Sequence, residues 1–286
     1  MFEIFQSSLL AGLKITAIIF ILMVVIELLV LKFKNKIVRL TQKSKFWSYV
    51  VSSFFGTIPG CVGTFAMDSL YMAGLLGFGG IIAVMIATSG DEAFLLISLV
   101  ADGSISSGIF FGLTGTLFLL GIFGGVLSDW FARKTKMKVC EKCAIVDHNH
   151  EKLNLKHFLT AHIWQHIFRK HIWQIFLWLF ATIFAIEFLG TRVDLAGIFE
   201  NVSGIWILLA AALVGVIPIS GPNIVLVILF ANGLVPFSVL LANSIVQDGH
   251  GLLPILGFSL RDAVKIKIFN LLFGLAVGGI LLLFGF

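Results

Sequence analysis

Charged residues are scarce in this sequence: only 12% of its 286 residues are Asp, Glu, Lys or Arg. A water-soluble domain usually carries about 25%. Hydrophobic residues make up 59% of the chain, and the mean hydropathy is +1.06. Too few polar side chains are present to cover a soluble surface. The composition therefore excludes an ordinary soluble protein and predicts a membrane protein.

Cysteines are few, and familiar enzyme signatures are absent. The three cysteines, Cys61, Cys140 and Cys143, are too few for a disulfide framework. The chain contains no G-x-x-x-x-G-K-[ST] phosphate loop and no H-E-x-x-H motif. We therefore expect neither an ATP-driven pump nor an enzyme, and a metal-dependent intramembrane hydrolase is the disfavoured alternative. The net charge of +5 lies in loops and indicates contact with lipid headgroups, not with nucleic acid.

Long apolar stretches recur along the chain, and each is long enough to cross a hydrocarbon layer of ~30 Å as a helix. The first covers residues 9–31 and lacks the features of a cleaved signal. Other stretches are short and interrupted by Gly or Pro. We expect an all-α integral membrane protein of ten short or broken transmembrane helices.

An internal repeat relates two halves of the chain at an offset of 159 residues. Gly56-Thr-Ile-Pro59 corresponds to Gly215-Val-Ile-Pro218. Further matched pairs are Gly74/Gly233, Gly90/Gly249, Phe110/Phe269 and Gly115/Gly274. Such repeats are typical of secondary transporters.

Basic residues orient the two halves. Segments 32–45 and 128–171 are rich in Lys and Arg, so both should face the cytoplasm, as should Arg261, Lys265 and Lys267. Five crossings per half then give two inverted-topology five-helix repeats in the cytoplasmic (inner) membrane. Both termini are expected outside, on the side away from the cytoplasm. The predicted parts are a first transmembrane repeat (1–127), a cytoplasmic Cys/His-containing loop with an interfacial helix (128–171) and a second, inverted repeat (172–286).

Carboxylates in the spans lack basic neighbours in the sequence. No Lys, Arg or His occurs between residues 46 and 132, and His250 is the one cationic candidate between 193 and 260. A carboxylate at mid-membrane costs at least ~2.5–3.5 kcal/mol, so we expect a bound cation to neutralise these groups. The repeat places Ser89-Gly90-Asp91 opposite Asp248-Gly249-His250. The predicted metal or substrate ligands in the membrane are Asp68, Asp91, Glu92, Asn223, Gln247, Asp248 and His250.

Alternatives remain for several acidic residues. Asp102 and Asp262 could instead cap helices at the membrane surface. Glu27 and Glu187, at repeat-equivalent positions in apolar spans, could carry protons for exchange or simply reach the membrane surface.

The central loop contains a second candidate metal site. Cys140 and Cys143 have the Cys-x-x-Cys spacing, and His148 and His150 follow closely. These are ligand types that hold Zn²⁺. We expect metal capture or sensing there.

The Gly-x-Ile-Pro-Gly segment at 56–60, Ser-Gly-Asp91-Glu92-Ala, the Gly-Pro-Asn223 segment and Gln247-Asp248-Gly249-His250-Gly251 together resemble the ten-span heavy-metal exporter family, also labelled manganese transporter or arsenic efflux protein. The resemblance covers nearly the whole chain. It implies a membrane transporter with a His/Cys-rich central loop, and no required cofactor.

The ligand types suggest which cargo such a transporter carries. The membrane-embedded candidates are mostly oxygen ligands, which favour Mn²⁺. Cys61 is the one intramembrane thiol, and the alternative is a permease for an arsenical, another heavy metal or a small solute that uses it. We expect export of Mn²⁺ in exchange for protons. A homodimer is left open as a partner.

Overall fold

A computed structural model describes residues 2–41, 44–137, 172–190, 197, 202–218 and 220–285. All regular structure in these ranges is helical. The first half contains α1 (Phe2–Thr41), α2 (Lys45–Thr57), α3 (Val62–Met72), α4 (Phe78–Ala87), α5 (Glu92–Ala101) and α6 (Ser107–Lys134). The second half contains α7 (Trp173–Gly190), α8 (Gly204–Val216), α9 (Gly221–Ala231), α10 (Phe237–Val246), α11 (Leu253–Phe258) and α12 (Leu260–Leu283).

Long apolar helices enclose short ones. Among the described residues, four stretches are long and apolar enough to cross a membrane, and they begin at Ile4, Phe78, Ser107 and Leu260. The stretch from Phe78 consists of α4 and α5 and is buried inside the protein. Large apolar side chains such as Phe111 and Leu272 are exposed on the outer helices, where lipid would cover them. The prediction of an all-helical membrane protein is confirmed. The count of ten spans and the three-part division stay predictions.

The short helices repeat with the same spacing in both halves. The bounds of α2, α3 and α4 recur 159 residues later as those of α8, α9 and α10. The turns match as well: φ is 71° at Gly74 and 72° at Gly233, and 50° at Gly90 and 52° at Gly249. Only glycine adopts such angles readily, which explains why glycines mark both turns.

The repeat offset changes at the last helix of each half. A methyl group built on Gly121 of α6 would lie 2.7 Å from the Ala83 carbonyl oxygen, and one built on Gly274 of α12 would lie 3.0 Å from that of Ala242. Gly274 therefore corresponds to Gly121, at an offset of 153. The predicted pairs Gly115/Gly274 and Phe110/Phe269 are wrong, because the second half is six residues shorter before its last helix.

The two innermost helices are α4 and α10. Every residue of α4 is buried, as is nearly every residue of α10. Helix α4 packs against α2 and α6, and α10 packs in the same way against α8 and α12. The turns that follow α4 and α10 consequently end inside the protein, where their polar groups are shielded from solvent.

Candidate metal centre

The turns after α4 and α10 meet at the centre of the protein. The Gln247 side-chain amide donates to the Thr88 carbonyl oxygen at 3.1 Å, and these two residues are themselves 159 apart. A methyl group built on Gly90 would lie 3.9 Å from the Gly249 Cα atom. The predicted convergence of the two turns is thus observed.

Three side chains with metal-ligand atoms gather at this meeting point. The ligand atoms of Cys61, Asp91 and His250 all lie within 4.8 Å of one another. His250 Nδ1 lies 3.7 Å from Asp91 Oδ2 and 3.4 Å from the Ser220 hydroxyl. Cys61 and Asp91 are 5% and 1% exposed, and the His250 side chain is 13% exposed. We call Cys61, Asp91 and His250 the central cluster.

Both halves contribute matched positions to this region. His250 occupies the position equivalent to Asp91, and Ser220 occupies the position equivalent to Cys61, each at the offset of 159. Cys61 immediately precedes α3, and Ser220 immediately precedes α9. The Gly60 amide donates to the Gly90 carbonyl oxygen at 2.9 Å, which holds the turn before α3 against the turn that carries Asp91.

The central cluster combines sulfur, oxygen and nitrogen donors. Thiolate, carboxylate and imidazole together are ligands of Zn²⁺ and similar borderline ions. The Gln247 side-chain oxygen is buried and has no hydrogen-bond partner among the described residues. It lies 3.7 Å from methyl groups built on Gly90 and on Gly249, so an additional oxygen donor is close to the turn glycines.

Asp91 does not serve as an ordinary helix cap. It precedes α5, yet its side chain makes no capping hydrogen bond. The next residue, Glu92, is also buried, and its Oε1 atom has no hydrogen-bond partner in the described part of the chain. Two adjacent buried carboxyl groups are costly in the absence of a cation, which favours a binding role over a capping role here.

A family model described as "Putative, 10TM heavy-metal exporter" matches residues 4–186 and 171–284. The chain belongs to this family. The match confirms the predicted family, and it supports metal export across a membrane in general. No curated protein and no solved structure matches the chain significantly. The family is one of exporters and not a class of enzymes.

In this exporter, Asp68 and Asn223 lie in α3 and α9, the helices that begin directly after Cys61 and Ser220. Asp68 is fully buried in α3, and neither carboxyl oxygen has a hydrogen-bond partner within the described ranges. Asn223 accepts a hydrogen bond from Asn243 at 3.0 Å, and the same Asn243 amide donates to the Ala211 carbonyl oxygen. Asn223 is therefore part of a buried amide network, while Asp68 remains a candidate ligand.

Asp248 has a basic partner, contrary to the prediction. Lys267 Nζ lies 2.6 Å from Asp248 Oδ2, and the Asn270 amide donates to Asp248 Oδ1 at 3.0 Å. Lys267 is far from Asp248 in sequence and is carried inward because α12 begins six residues earlier than the repeat predicted. It is therefore an internal charge and not a marker of cytoplasmic topology.

The two proposed caps behave differently. Asp262 lies in the first turn of α12, where its amide donates to the Ser259 hydroxyl at 3.3 Å and its carboxylate pairs with Lys265 at 3.3 Å. Its position fits the capping interpretation. Asp102 is exposed and is the C-terminal cap residue of α5, the end at which the helix dipole does not favour a carboxylate.

Some predicted residues lie outside the described residues, and some observed ones were not predicted. The loop candidates Cys140, Cys143, His148 and His150 lie outside the described residues, as do the side chains of Glu27 and Glu187.

Asp129 was not among the predicted residues. It accepts hydrogen bonds from the Tyr49 hydroxyl and the Gly79 amide, both at 2.7 Å. It stands four residues before Arg133 at the basic end of α6, so no local pattern separates it from an ordinary surface carboxylate.

Proposed function

We propose that this protein exports a divalent metal cation across the cytoplasmic membrane and that Cys61, Asp91 and His250 bind the ion in transit. The observation that supports this proposal is the buried central cluster, whose three ligand atoms lie within 4.8 Å of one another. Buried ionisable groups in a membrane protein usually belong to an ion pathway. Membership of an exporter family agrees with that interpretation.

Transport would proceed by alternating access between the two halves. The ion would be held where the turn bearing Asp91 meets the turn bearing His250, so that a movement of one half against the other would open the site to one side at a time. The proposal keeps the inverted topology of the halves, both termini outside and the loop 128–171 in the cytoplasm.

Protons are the proposed exchange partner. Thiol, imidazole and carboxyl ligands must lose protons before they bind a metal ion, so metal binding and proton release are coupled. Glu27 and Glu187 remain the sequence-based candidates for carrying protons elsewhere in the spans.

Two divalent cargoes are proposed, and they differ in whether the Cys61 thiol is expected to bind the ion. Mn²⁺ follows from the oxygen-rich ligand set of the spans, including Asp68, Glu92 and Gln247. Zn²⁺ or a similar borderline ion is the second candidate, supported by the Cys61 thiol in the central cluster. An arsenical is less favoured, because trivalent arsenic usually recruits more than one thiol and Cys61 is the one cysteine within the described residues.

Uptake into proteoliposomes tests the proposed function. The full chain would be reconstituted and offered Mn²⁺, Zn²⁺, Cd²⁺, Ca²⁺ and arsenite in parallel, with a pH-sensitive dye inside the vesicles. We expect saturable uptake of Mn²⁺ or Zn²⁺ into the vesicles. The internal pH should rise at the same time, because protons leave in exchange. Uptake of no divalent ion above that of empty vesicles would contradict the proposal, and uptake of arsenite alone would support the arsenical alternative.

A further inference from the structure

A buried ammonium group lies among three oxygens in the second half. Lys267 Nζ is 2.6 Å from Asp248 Oδ2, and it donates to the carbonyl oxygens of Gly215 and Val246, each at 2.9 Å. An ammonium group has three N–H donors, so each donor has one oxygen partner. The Lys267 side chain is 12% exposed, so solvent contributes little to this arrangement.

Lys267 compensates the negative charge of the three oxygens, two of which lie at helix ends. Gly215 lies at the end of α8, and Val246 is the last residue of α10. The C-terminal end of a helix carries partial negative charge. A methyl group on Gly215 would lie 3.0 Å from Val246 Cβ, so the glycine is what lets the two helix ends approach one point. Asn270 orients the carboxylate through its hydrogen bond to Asp248 Oδ1.

Such a set of oxygens is a cation site by its chemistry. One carboxylate oxygen and two backbone carbonyl oxygens are ligands that hard cations accept without any nitrogen or sulfur donor. In secondary transporters, the C-terminal ends of broken helices and unwound carbonyls hold coupling ions of this kind. In this protein the cation at the centre of the three oxygens is the Lys267 ammonium group.

The first half has the same backbone arrangement without the charges. Its helix-end residues Gly56 and Ala87 correspond to Gly215 and Val246, and a methyl group built on Gly56 would lie 2.9 Å from Ala87 Cβ. Ser89 stands at the position of Asp248, and Thr114 stands at the position of Lys267 at the offset of 153. The scaffold therefore forms without an ion pair, and the pair is a property of the second half.

We propose that the Lys267 ammonium is a tethered cation that fills an alkali-ion site formed by Asp248, Gly215 and Val246, and that transport is consequently independent of sodium and potassium. The alkali-ion site is inferred from the contacts of Lys267 and does not depend on what the protein transports. Its consequence for ion coupling rests on the proposed transport function. In this arrangement Asp248 is committed to Lys267, and cargo binding falls to the central cluster.

The test measures the thermal stability of the purified full chain in detergent. Lys267→Ala would be compared with the wild type in sodium, potassium or choline chloride at equal ionic strength. We expect the Tm of Lys267→Ala to rise by about 2–4 °C when sodium or potassium exceeds its dissociation constant at least tenfold. The wild type should show equal Tm values in all three salts. Because this measurement needs no transport, it can fail without the proposed function failing.

Two further variants complete the test. Lys265→Ala removes the neighbouring charge, which pairs with Asp262 instead, and should show no preference among the salts. Asp248→Asn/Lys267→Ala removes the carboxylate and should abolish the alkali-ion effect. Equal Tm values of Lys267→Ala in sodium, potassium and choline would overturn the proposal. If Lys267→Ala is recovered only when sodium or potassium is present during purification, the proposal is supported; if it is recovered in no salt while the double variant is recovered, it is overturned.

Discussion

The two halves of this exporter share a backbone plan and differ in chemistry at equivalent positions. Where the first half has Cys61 and Asp91, the second has Ser220 and His250. Where the first half has Ser89 and Thr114, the second has the ion pair of Asp248 and Lys267. The first half thus supplies the ligands that can become anionic, and the second supplies an imidazole, a hydroxyl and its own internal cation.

This difference shows how one repeated scaffold produces a single asymmetric site. A site on a two-fold axis made of identical residues would contain two carboxylates and two thiols, with strong mutual repulsion when ionised. The pairing of Asp91 with His250 gives the cluster one carboxylate and one imidazole instead. A divalent ion bound by Cys61, Asp91 and His250 would then be close to electrically neutral with its ligands.

The largest expected effect comes from removing the charge of Asp91. Asp91→Asn keeps the shape of the side chain and removes the carboxylate of the central cluster, so we expect metal transport to fall by about 100-fold or more. Initial uptake rates in proteoliposomes measure this. Asp102→Asn is the matched control, because Asp102 is an exposed carboxylate at the other end of the same helix. Equal rates for the two variants would remove Asp91 from the pathway.

Exchanging the two halves' contributions tests the local symmetry. The single variants Asp91→His and His250→Asp should each lose about 100-fold in transport, whereas the double variant restores one carboxylate and one imidazole between the two turns. We expect a favourable coupling of more than about 2.7 kcal/mol between the two positions, so that the double variant transports faster than either single variant. A double variant as inactive as the worse single variant would mean that the positions are not interchangeable.

The thiol should affect selectivity more than overall activity. Cys61→Ser replaces the sulfur ligand by oxygen, so Zn²⁺ transport should fall about tenfold while Mn²⁺ transport changes by less than about twofold. Ser220→Cys adds a thiol at the equivalent position and should shift preference the opposite way. Competition between the two ions in uptake experiments measures both shifts. No change in the Zn²⁺/Mn²⁺ ratio with either variant would exclude sulfur coordination of the cargo.

The smallest expected effects concern packing of the repeated helices. A methyl group on Gly56 would lie 2.6 Å from the Val84 carbonyl oxygen, whereas one on Gly215 would lie no closer than 3.0 Å to its nearest neighbour. Gly56→Ala should therefore lower the free energy of unfolding by about 1–3 kcal/mol, and Gly215→Ala by less. Gly112→Ala, with open space around the added methyl, should not destabilise. Thermal unfolding in detergent ranks the three variants, and equal losses at Gly56 and Gly112 would contradict the close packing.

Local patterns were sufficient to predict the helical class, the repeat of the short helices and the meeting of the two turns. They were sufficient because Gly90 and Gly249 mark the same backbone conformation in both halves. The partner of Asp248 could not be predicted in this way. Lys267 reaches it only because the second half is six residues shorter before α12, and an ungapped comparison hides that change.

The position of Cys61 beside Asp91 and His250 could not be predicted either, for a physical reason. In the sequence it is one thiol 30 residues from Asp91 and far from His250, so oxygen ligands dominated the expected site. The hydrogen bond between Gly60 and Gly90 holds the turn that carries Cys61 against the turn that carries Asp91. Contacts between turns of this kind depend on tertiary packing, which spacing along the chain does not specify.

X-ray absorption spectroscopy of the zinc-loaded protein tests the central claim most directly. The full chain would carry Cys140→Ser and Cys143→Ser, so that Cys61 is its one remaining thiol. The account predicts one Zn–S distance of about 2.3 Å with nitrogen and oxygen ligands at about 2.0–2.2 Å, and loss of the sulfur when Cys61→Ser is added. A coordination shell without sulfur, or one unchanged by Cys61→Ser and by Asp91→Asn, would contradict a metal site at the meeting point of the two halves.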